Sequence, residues 1–288
     1  MRILVTGTQG QVVTALKASD PGIVTLGRPE IDLADPASLR APIVALRPDA
    51  IVSAAAYTAV DKAESEPDLA RVVNGEAPAE LARIAGDLGI PILHLSTDYV
   101  FPGDKPESYS EDDATGPVSV YGVSKLAGEQ GIRAGTANHV ILRTAWVYSP
   151  YGANFVKTML RLAETRDEVG VVADQYGCPT YAPDIADAVL TIARHLIADP
   201  SPALRGTFHL AAPDETSWAG FAETVFAGLA ARGGKKVIVN PIPTRSYPTP
   251  ARRPANSRLS GVKLKAVYGM ELPSWRTSLA TCLDILLA

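Results

Sequence analysis

Short apolar runs alternate with amphipathic stretches along the first half of the chain. Five runs rich in β-branched residues predict buried strands at residues 3–6, 23–26, 50–55, 92–96 and 140–144. Helical spacing between them predicts helices at residues 10–17, 38–46, 76–88 and 123–131. Apolar strands that alternate with helices are typical of a parallel sheet covered on both faces. The pattern therefore predicts an α/β fold with a doubly wound parallel sheet of the Rossmann type.

The second half of the chain has a different pattern. A loop beginning at Ser149 runs into a helix that ends by Glu168, and a strong helix is predicted at 183–198. After Pro213 the alternation weakens, and residues 241–254 hold five of the 23 prolines, which predicts an extended loop. We predict a larger domain of residues 1–148, to which 179–212 return, and a smaller α/β domain of residues 149–178 and 213–288.

Composition and charge narrow the class of protein. The 288 residues are 47% hydrophobic and 20% charged, as is usual for a globular protein. A formal net charge of −4 argues against a nonspecific nucleic-acid binder. No apolar stretch has the length of a signal peptide core or a membrane span. We therefore expect a cytoplasmic protein that binds neither nucleic acid nor membrane.

No metal site is evident in the sequence. The two cysteines are too few for a disulfide framework or a Cys-rich zinc site. The four histidines, His94, His139, His195 and His209, have no metal-binding spacing, and we interpret them as structural.

The first predicted strand runs directly into Gly7-Thr8-Gln9-Gly10, where a helix is predicted to begin. Glycines three apart let the backbone approach a pyrophosphate, which the free N–H groups of the helix then bind. Such turns also occur without a ligand. Val13 replaces the third glycine of the extended pattern, a change that affects helix–strand spacing rather than the phosphate contact. The motif favours a dinucleotide site.

The end of the second predicted strand bears on the choice of nicotinamide cofactor. A carboxylate there binds the ribose 2′-hydroxyl, whereas an arginine accommodates a 2′-phosphate. Here Gly27 and Arg28 follow the strand. We therefore expect NADPH to be preferred and NADH to be the alternative cofactor. In the other interpretation, Arg28 is a solvated surface charge.

Tyr121 and Lys125 are four residues apart in a predicted helix, so their side chains share one face. A neighbouring cation lowers the pKa of a phenol, which would suit Tyr121 to proton transfer at neutral pH. Thr97 closes a predicted strand, where its hydroxyl can bind a carbonyl oxygen. A Y-x-x-x-K pair alone is common, but the Thr–Tyr–Lys order after an N-terminal glycine turn resembles the short-chain dehydrogenases/reductases.

Longer segments narrow the resemblance to one family. The chain is similar to the dTDP-4-dehydrorhamnose reductases at AAAYTAVDKAE (54–64), STDYVFPG (96–103), RTAWVY (143–148), NFV (154–156), DQYGCPT (174–180) and PTPARRPANSRL (248–259). The resemblance implies an NAD(P)H-dependent oxidoreductase that reduces the C4 ketone of dTDP-4-dehydro-β-L-rhamnose to dTDP-β-L-rhamnose, the last step of dTDP-L-rhamnose biosynthesis. The larger domain would bind the dinucleotide and the smaller domain the sugar nucleotide.

The resemblance also implies functions for individual residues. Tyr121 would donate the proton, Thr97 would assist it, and Lys125 would bind the nicotinamide ribose and tune Tyr121. The cofactor would be bound by Gly7, Gly10, Gln11, Val12, Arg28, Asp32, Leu33, Ala56, Tyr57 and Thr58, together with Tyr121 and Lys125. The substrate would be bound by Thr97, Asp98, Trp146, Asn154 and Arg253, the last at the diphosphate.

The chain departs from the family pattern in ways that affect its partners. Some relatives dimerise through magnesium held by glutamates, but Ala15 and Pro183 stand at those places and cannot ligate the ion. We therefore expect a monomer or weak homodimer without a magnesium-bridged interface. Two other functions stay open, which are a different nucleotide-sugar reductase or epimerase, and a noncatalytic subunit resembling the methionine adenosyltransferase regulatory subunit.

Overall fold

A computed structural model describes all residues, 1–288, and contains thirteen strands. They are β1 (Ile3–Thr6), β2 (Val24–Leu26), β3 (Ala50–Ser53), β4 (Ile92–Thr97), β5 (His139–Thr144), β6 (Val147–Tyr148), β7 (Glu168–Val172), β8 (Tyr176–Gly177), β9 (Thr180–Tyr181), β10 (Gly206–His209), β11 (Thr216–Ser217), β12 (Ile238–Ile242) and β13 (Asn256–Ser257).

Eleven α-helices connect and cover these strands. They are α1 (Gln11–Ser19), α2 (Arg40–Leu46), α3 (Val60–Ala63), α4 (Pro67–Arg71), α5 (Ala77–Leu88), α6 (Val120–Gly135), α7 (Phe155–Thr165), α8 (Ala182–Ala198), α9 (Trp218–Ala231), α10 (Val262–Tyr268) and α11 (Trp275–Leu286). None of them combines the length and the apolar composition that a membrane crossing requires.

The larger sheet has six parallel strands in the order β10-β5-β4-β3-β1-β2. Successive residues of β1 point to opposite faces: Ile3 and Val5 pack with α1 and α8, whereas Leu4 packs with α2 and α5. Both faces are therefore buried under helices, and the predicted doubly wound parallel sheet is confirmed. Because β2 and β3 lie on opposite sides of β1, the connections diverge there and leave a crevice at the carboxyl ends of the strands.

Helix α6 is longer at both ends than the predicted 123–131. At its start, the Ser119 hydroxyl accepts a hydrogen bond from the N–H of Gly122 at 3.2 Å, which caps the helix and places Tyr121 in the first turn. Beyond the predicted end, a Cβ at Gly131 would lie 2.6 Å from the Cβ of Ala79 on α5. Gly131 therefore lies inside the helix and allows α6 to pack closely on α5.

The smaller part of the molecule is built around α7, α9 and α11. Their apolar faces enclose a core with Tyr148, Phe221 and Trp275 among its largest buried side chains. The prediction of a loop throughout residues 241–254 is wrong at its start, because Pro241 lies in β12. That strand belongs to a two-stranded sheet with β7, where a residue without an N–H is tolerated.

Candidate active site

The glycine turn and the ends of two more strands meet at the crevice. The hydroxyl of Thr6, the last residue of β1, accepts hydrogen bonds from the N–H groups of Ala54 and Ala55 at 3.1 and 3.2 Å. These bonds hold the segment after β3 against the segment after β1. Thr97 ends β4, the next strand in the sheet.

The turn after β1 has the backbone shape that its glycines allow. Gly7 and Gly10 have φ values of 93° and 106°, which side-chain-bearing residues rarely adopt. A Cβ at Gly10 would meet nothing within 4 Å, so the backbone there is open to a ligand. Helix α1 begins at Gln11 without a side-chain cap, which leaves N–H groups free at its positive end. Val13 is buried in the core and fills the place of the third glycine.

Gln11 connects this turn to the smaller part of the molecule. Its Oε1 accepts hydrogen bonds from the Ser149 hydroxyl at 2.8 Å and from Nδ2 of Asn154 at 3.1 Å. The Asn154 side chain also caps α7, where its Oδ1 accepts from the N–H of Lys157 at 3.2 Å. The structure thus places Asn154 at the cofactor end of the crevice with its side chain in structural contacts, and its predicted substrate contact stays a prediction.

Three of the predicted cofactor-binding residues, Arg28, Asp32 and Leu33, lie beyond β2. Arg28 is exposed and forms no ion pair, so its guanidinium is free to meet an anion. Asp32 accepts a hydrogen bond from the N–H of Ala34 at 2.9 Å, which closes a tight turn, and Leu33 packs on the core beside the sheet.

Asn74 fixes the loop that holds Ala56, Tyr57 and Thr58. It lies fully buried in a π-helical turn, where its Oδ1 accepts from the N–H of Tyr57 at 2.8 Å and its Nδ2 donates to the carbonyl of Tyr57 at 3.0 Å. The same Nδ2 lies 3.0 Å from the hydroxyl of Ser124 on α6. Asn74 therefore ties the loop with three predicted cofactor-binding residues to the helix that carries Tyr121.

Tyr121 lies among polar groups at the end of β4. The Thr97 hydroxyl lies near its phenol and donates to Oδ1 of Asp98 at 2.8 Å. Burial raises the pKa of the Asp98 carboxyl to about 6, against the opposing effect of the Ser257 and Thr97 hydroxyls. The Tyr99 ring contacts Tyr121 edge to face, with 5.7 Å between centroids. Thr97, Asp98 and Tyr121 thus converge on one point.

Lys125 is 2% exposed and directs its ammonium at β4, an interior strand of the larger sheet. Its Nζ donates to the carbonyl of Leu95 at 2.7 Å and lies 3.4 Å from Nε2 of His94. Burial lowers the pKa of Lys125 to about 8, although the Glu129 carboxylate opposes this shift.

The expectation of a lowered pKa for Tyr121 is wrong for this structure. Burial raises that pKa above its ordinary value, and the nearby Asp98 and Tyr99 raise it further, while only the Thr97 hydroxyl opposes them. The phenol is therefore protonated at neutral pH, as a proton donor has to be.

A buried ion pair lies one turn beyond Lys125 on the same face of α6. Glu129 is fully buried and accepts from Nε of Arg143 at 2.8 Å and from its Nη2 at 2.7 Å. The Ser96 hydroxyl adds a third bond at 2.7 Å. This pair fixes α6 against β4 and β5, and with it the position of the two predicted catalytic side chains on α6.

A cavity of about 760 Å³ opens beside the smaller core, where α7, β7 and the loop after β12 line it. Arg253 and Asp61 line it and form an ion pair, with 2.8 Å between Nη2 and Oδ2. Nη1 of Arg253 also lies 3.2 Å from the hydroxyl of Tyr99, whose ring contacts Tyr121. Tyr99 thus contacts both the Arg253 guanidinium in the cavity and the Tyr121 ring. The size of the cavity fits a nucleotide-sized ligand.

Trp146 and Trp218 stack face to face, with 3.5 Å between ring centroids and 6° between planes. Trp146 has a φ of 47°, and its ring lies directly on Gly177, where a Cβ would come within 2.4 Å. Trp218 lines the cavity beside Phe155. Trp146, a predicted substrate-binding residue, is therefore one half of a stacked aromatic pair.

No group of three or more His, Cys, Asp and Glu side chains is placed to hold a metal ion. Ala15 is buried in the core and Pro183 lies in the first turn of α8. The expectation of a monomer or weak dimer without bridging magnesium stays a prediction.

Comparison with known proteins places the chain in a family. The profile described as the RmlD substrate binding domain matches residues 1–288. A dTDP-4-dehydrorhamnose reductase of Sinorhizobium fredii is 55% identical over 281 residues, which cover 96% of this chain and 95% of the relative. The chain belongs to the dTDP-4-dehydrorhamnose reductase family. The resemblance that its motifs indicated is confirmed.

Solved structures of dTDP-4-dehydrorhamnose reductases have the same fold along the whole chain. The protein of Clostridium acetobutylicum superposes with a TM-score of 0.93 at 35% identity, covering 100% of both chains. The protein of Bacillus anthracis, solved in complex with NADP, gives 0.91 at 34% identity and 99% coverage of both.

Several residues of the candidate active site were not predicted from the sequence. They are Asp61, Asn74, His94, Tyr99, Glu129 and Trp218. Each acts through a contact with a segment distant in the chain. The one signal in the sequence was that Asp61 and Tyr99 fall inside segments that resemble the family.

Proposed function

We propose that the chain reduces the C4 ketone of dTDP-4-dehydro-β-L-rhamnose with NADPH and releases dTDP-β-L-rhamnose. The observation that carries the proposal is the convergence of Thr97, Tyr121 and Lys125 at the carboxyl edge of the sheet, next to a cavity with an arginine. The family's reductases supply the name of the reaction.

The residues around the glycine turn fit a nicotinamide dinucleotide. The open backbone at Gly10 and the free N–H groups at the start of α1 suit a pyrophosphate. Arg28 would meet a 2′-phosphate, and Lys125 would bind the nicotinamide ribose. When bound, the reduced cofactor supplies the hydride. A family member was solved in complex with NADP.

The chain's own residues then handle the charge that the reaction generates. As the ketone carbon is reduced, negative charge develops on its oxygen, where the Thr97 hydroxyl and the Tyr121 phenol stabilise it by hydrogen bonding. Tyr121 transfers its proton to that oxygen, and the Lys125 ammonium stabilises the phenolate that remains. Arg253 would hold the diphosphate, since its planar guanidinium binds phosphate oxygens in pairs.

The direct test is oxidation of NADPH with enzymatically prepared dTDP-4-dehydro-L-rhamnose, followed by loss of the reduced-nicotinamide absorbance. We expect turnover with this sugar and not with its unepimerised 4-keto-D counterpart. A net return of the cofactor to its starting redox state would indicate an epimerase instead. Cofactor binding without turnover of any 4-keto sugar would favour the noncatalytic subunit.

Arg253 is expected to control substrate affinity. Replacing it with alanine removes a charge-assisted contact to the diphosphate, so KM for the dTDP-sugar should rise roughly 10- to 100-fold with a smaller change in kcat. Arg252→Ala is the matched control, because this neighbouring side chain is exposed and does not line the cavity. Equal effects of the two substitutions would contradict the assignment.

Arg28 is expected to determine cofactor preference. In Arg28→Ala, kcat/KM for NADPH should fall about 10-fold or more while the value for NADH stays within twofold, because only NADPH carries the 2′-phosphate. Steady-state kinetics with both cofactors measures this, and NADH serves as the internal control. A wild-type enzyme with higher kcat/KM for NADH would contradict the preference itself.

A further inference from the structure

The ammonium of Lys125 has two acceptors that come from β4. It carries three N–H groups, of which one donates to the carbonyl of Leu95 at 2.7 Å. A second N–H group can donate to Nε2 of His94, which lies 3.4 Å from Nζ. One donor is left for a ligand in the crevice, so the direction of that donor depends on the other two contacts.

His94 is held in place by the neighbouring strand. It is 1% exposed, and its Nδ1 lies 3.0 Å from the hydroxyl of Ser53. Ser53 and His94 are register partners on β3 and β4. For Nε2 to accept a proton from an ammonium group, Nδ1 has to carry the ring's own proton, which the Ser53 oxygen then accepts.

The charges around the ring keep it neutral. Lys125 and Arg133 of α6 are the charged groups that face it, and together with burial they hold the pKa of His94 well below its ordinary value. Glu129 faces Lys125 from the next turn of α6, and Tyr121 lies one turn before it. A neutral imidazole beside an ammonium is an acceptor at every pH at which the enzyme would work.

A second buried histidine shows that this arrangement is not what burial alone produces. His209 on β10 is 0% exposed, and neither ring nitrogen has a hydrogen-bond partner. Its ring packs edge to face on Phe101, with 5.6 Å between centroids. Of the two, only His94 contacts a predicted catalytic side chain.

We propose that His94, oriented by Ser53, is a positioning residue that aims the ammonium of Lys125 at the nicotinamide ribose and at Tyr121. The proposal rests on the proposed function and replaces the interpretation of His94 as merely structural. Without the imidazole, the ammonium keeps only the Leu95 carbonyl as a fixed partner and samples more orientations. Both ribose binding and stabilisation of the phenolate should then weaken.

Two polar substitutions of similar size test whether Lys125 needs the hydrogen-bond acceptor of His94 or only a side chain that fills its place. His94→Gln places an amide oxygen near the position of Nε2, so it retains an acceptor for Lys125. His94→Asn reaches only the Nδ1 position, next to Ser53, and loses that acceptor. His209→Phe is the control for the loss of a buried imidazole. Each protein would be assayed for kcat with the 4-keto sugar, for NADPH dissociation constant, for thermal unfolding, and for kcat/KM across pH.

We expect His94→Asn to lower kcat about 10- to 100-fold and to weaken NADPH binding, as the loss of a hydrogen bond to a charged group predicts. The alkaline limb of its kcat/KM profile should shift to lower pH, because the ammonium has lost an acceptor that favours its charged form. His94→Gln should recover most of the activity. His209→Phe should change the unfolding temperature without moving the pH profile.

Equal kinetics and pH profiles for His94→Gln and His94→Asn would overturn the proposal, whatever their stability. So would a His94→Asn enzyme with wild-type kcat and NADPH affinity. Failure of the wild-type enzyme to reduce the sugar is a separate result, which removes the proposed function. In that case the NADPH dissociation constants of the variants still test whether His94 positions Lys125.

Discussion

Replacing Tyr121 with phenylalanine is expected to lower kcat by about 10²- to 10⁴-fold while KM for the 4-keto sugar changes little. The substitution removes one hydroxyl from a half-buried ring and leaves the edge-to-face contact with Tyr99 intact. The lost proton donor matters only as charge develops on the ketone oxygen, so the effect falls on the transition state rather than on substrate binding. Steady-state kinetics with NADPH and the dTDP-sugar measures both constants.

Tyr99→Phe is the matched control for this prediction. It removes a phenol hydroxyl that lies 3.2 Å from Nη1 of Arg253 and leaves the Tyr121 phenol in place. We expect kcat within about tenfold of the wild type. KM should rise modestly, because Arg253 loses its hydrogen bond to the uncharged Tyr99 hydroxyl. If Tyr121→Phe kept a kcat near that of Tyr99→Phe, a different group would have to supply the proton.

Replacing Glu129 with glutamine is expected to reduce the free energy of unfolding by about 3–5 kcal/mol. The substitution leaves the guanidinium of Arg143, which is 2% exposed, without its carboxylate partner inside the core. An unpaired buried charge costs far more than the loss of a surface ion pair. Chemical denaturation of the wild type and the variant measures the difference.

The controls for Glu129 come from the same cluster. Arg133→Ala removes the exposed partner of Glu129, at 2.9 Å, and should cost no more than about 1 kcal/mol. A double substitution, Glu129→Leu with Arg143→Met, removes both buried charges and should recover much of the lost stability. If Glu129→Gln were no less stable than Arg133→Ala, the buried pair would not be what fixes α6.

The sequence was informative wherever local spacing decides the outcome. The i, i+4 relation of Tyr121 and Lys125, the glycine turn at Gly7 and the parallel sheet all follow from patterns within a few residues. The last turn of α6 was missed because a glycine such as Gly131 disfavours a helix unless the neighbouring helix is known. Close packing on Ala79 is a property of the tertiary fold.

Contacts between distant segments account for the rest of the site. His94 meets Lys125 only because β4 passes beneath α6, and Asn74 reaches Tyr57 only through a π-helical turn. The sequence also could not predict that the pKa of Tyr121 is raised. Spacing identifies the neighbours of the phenol on its own helix, but not how far the fold removes it from solvent.

Helix α6 carries Tyr121, Lys125, Glu129 and Arg133 at steps of four residues along one face. The first two serve the reaction and the last two anchor the helix. One inserted residue between Lys125 and Glu129 would rotate the two halves by about 100° relative to each other. The reacting phenol or the buried carboxylate could then keep its place, but not both. During evolution this stretch can therefore exchange side chains freely on its outer face, whereas its length is fixed.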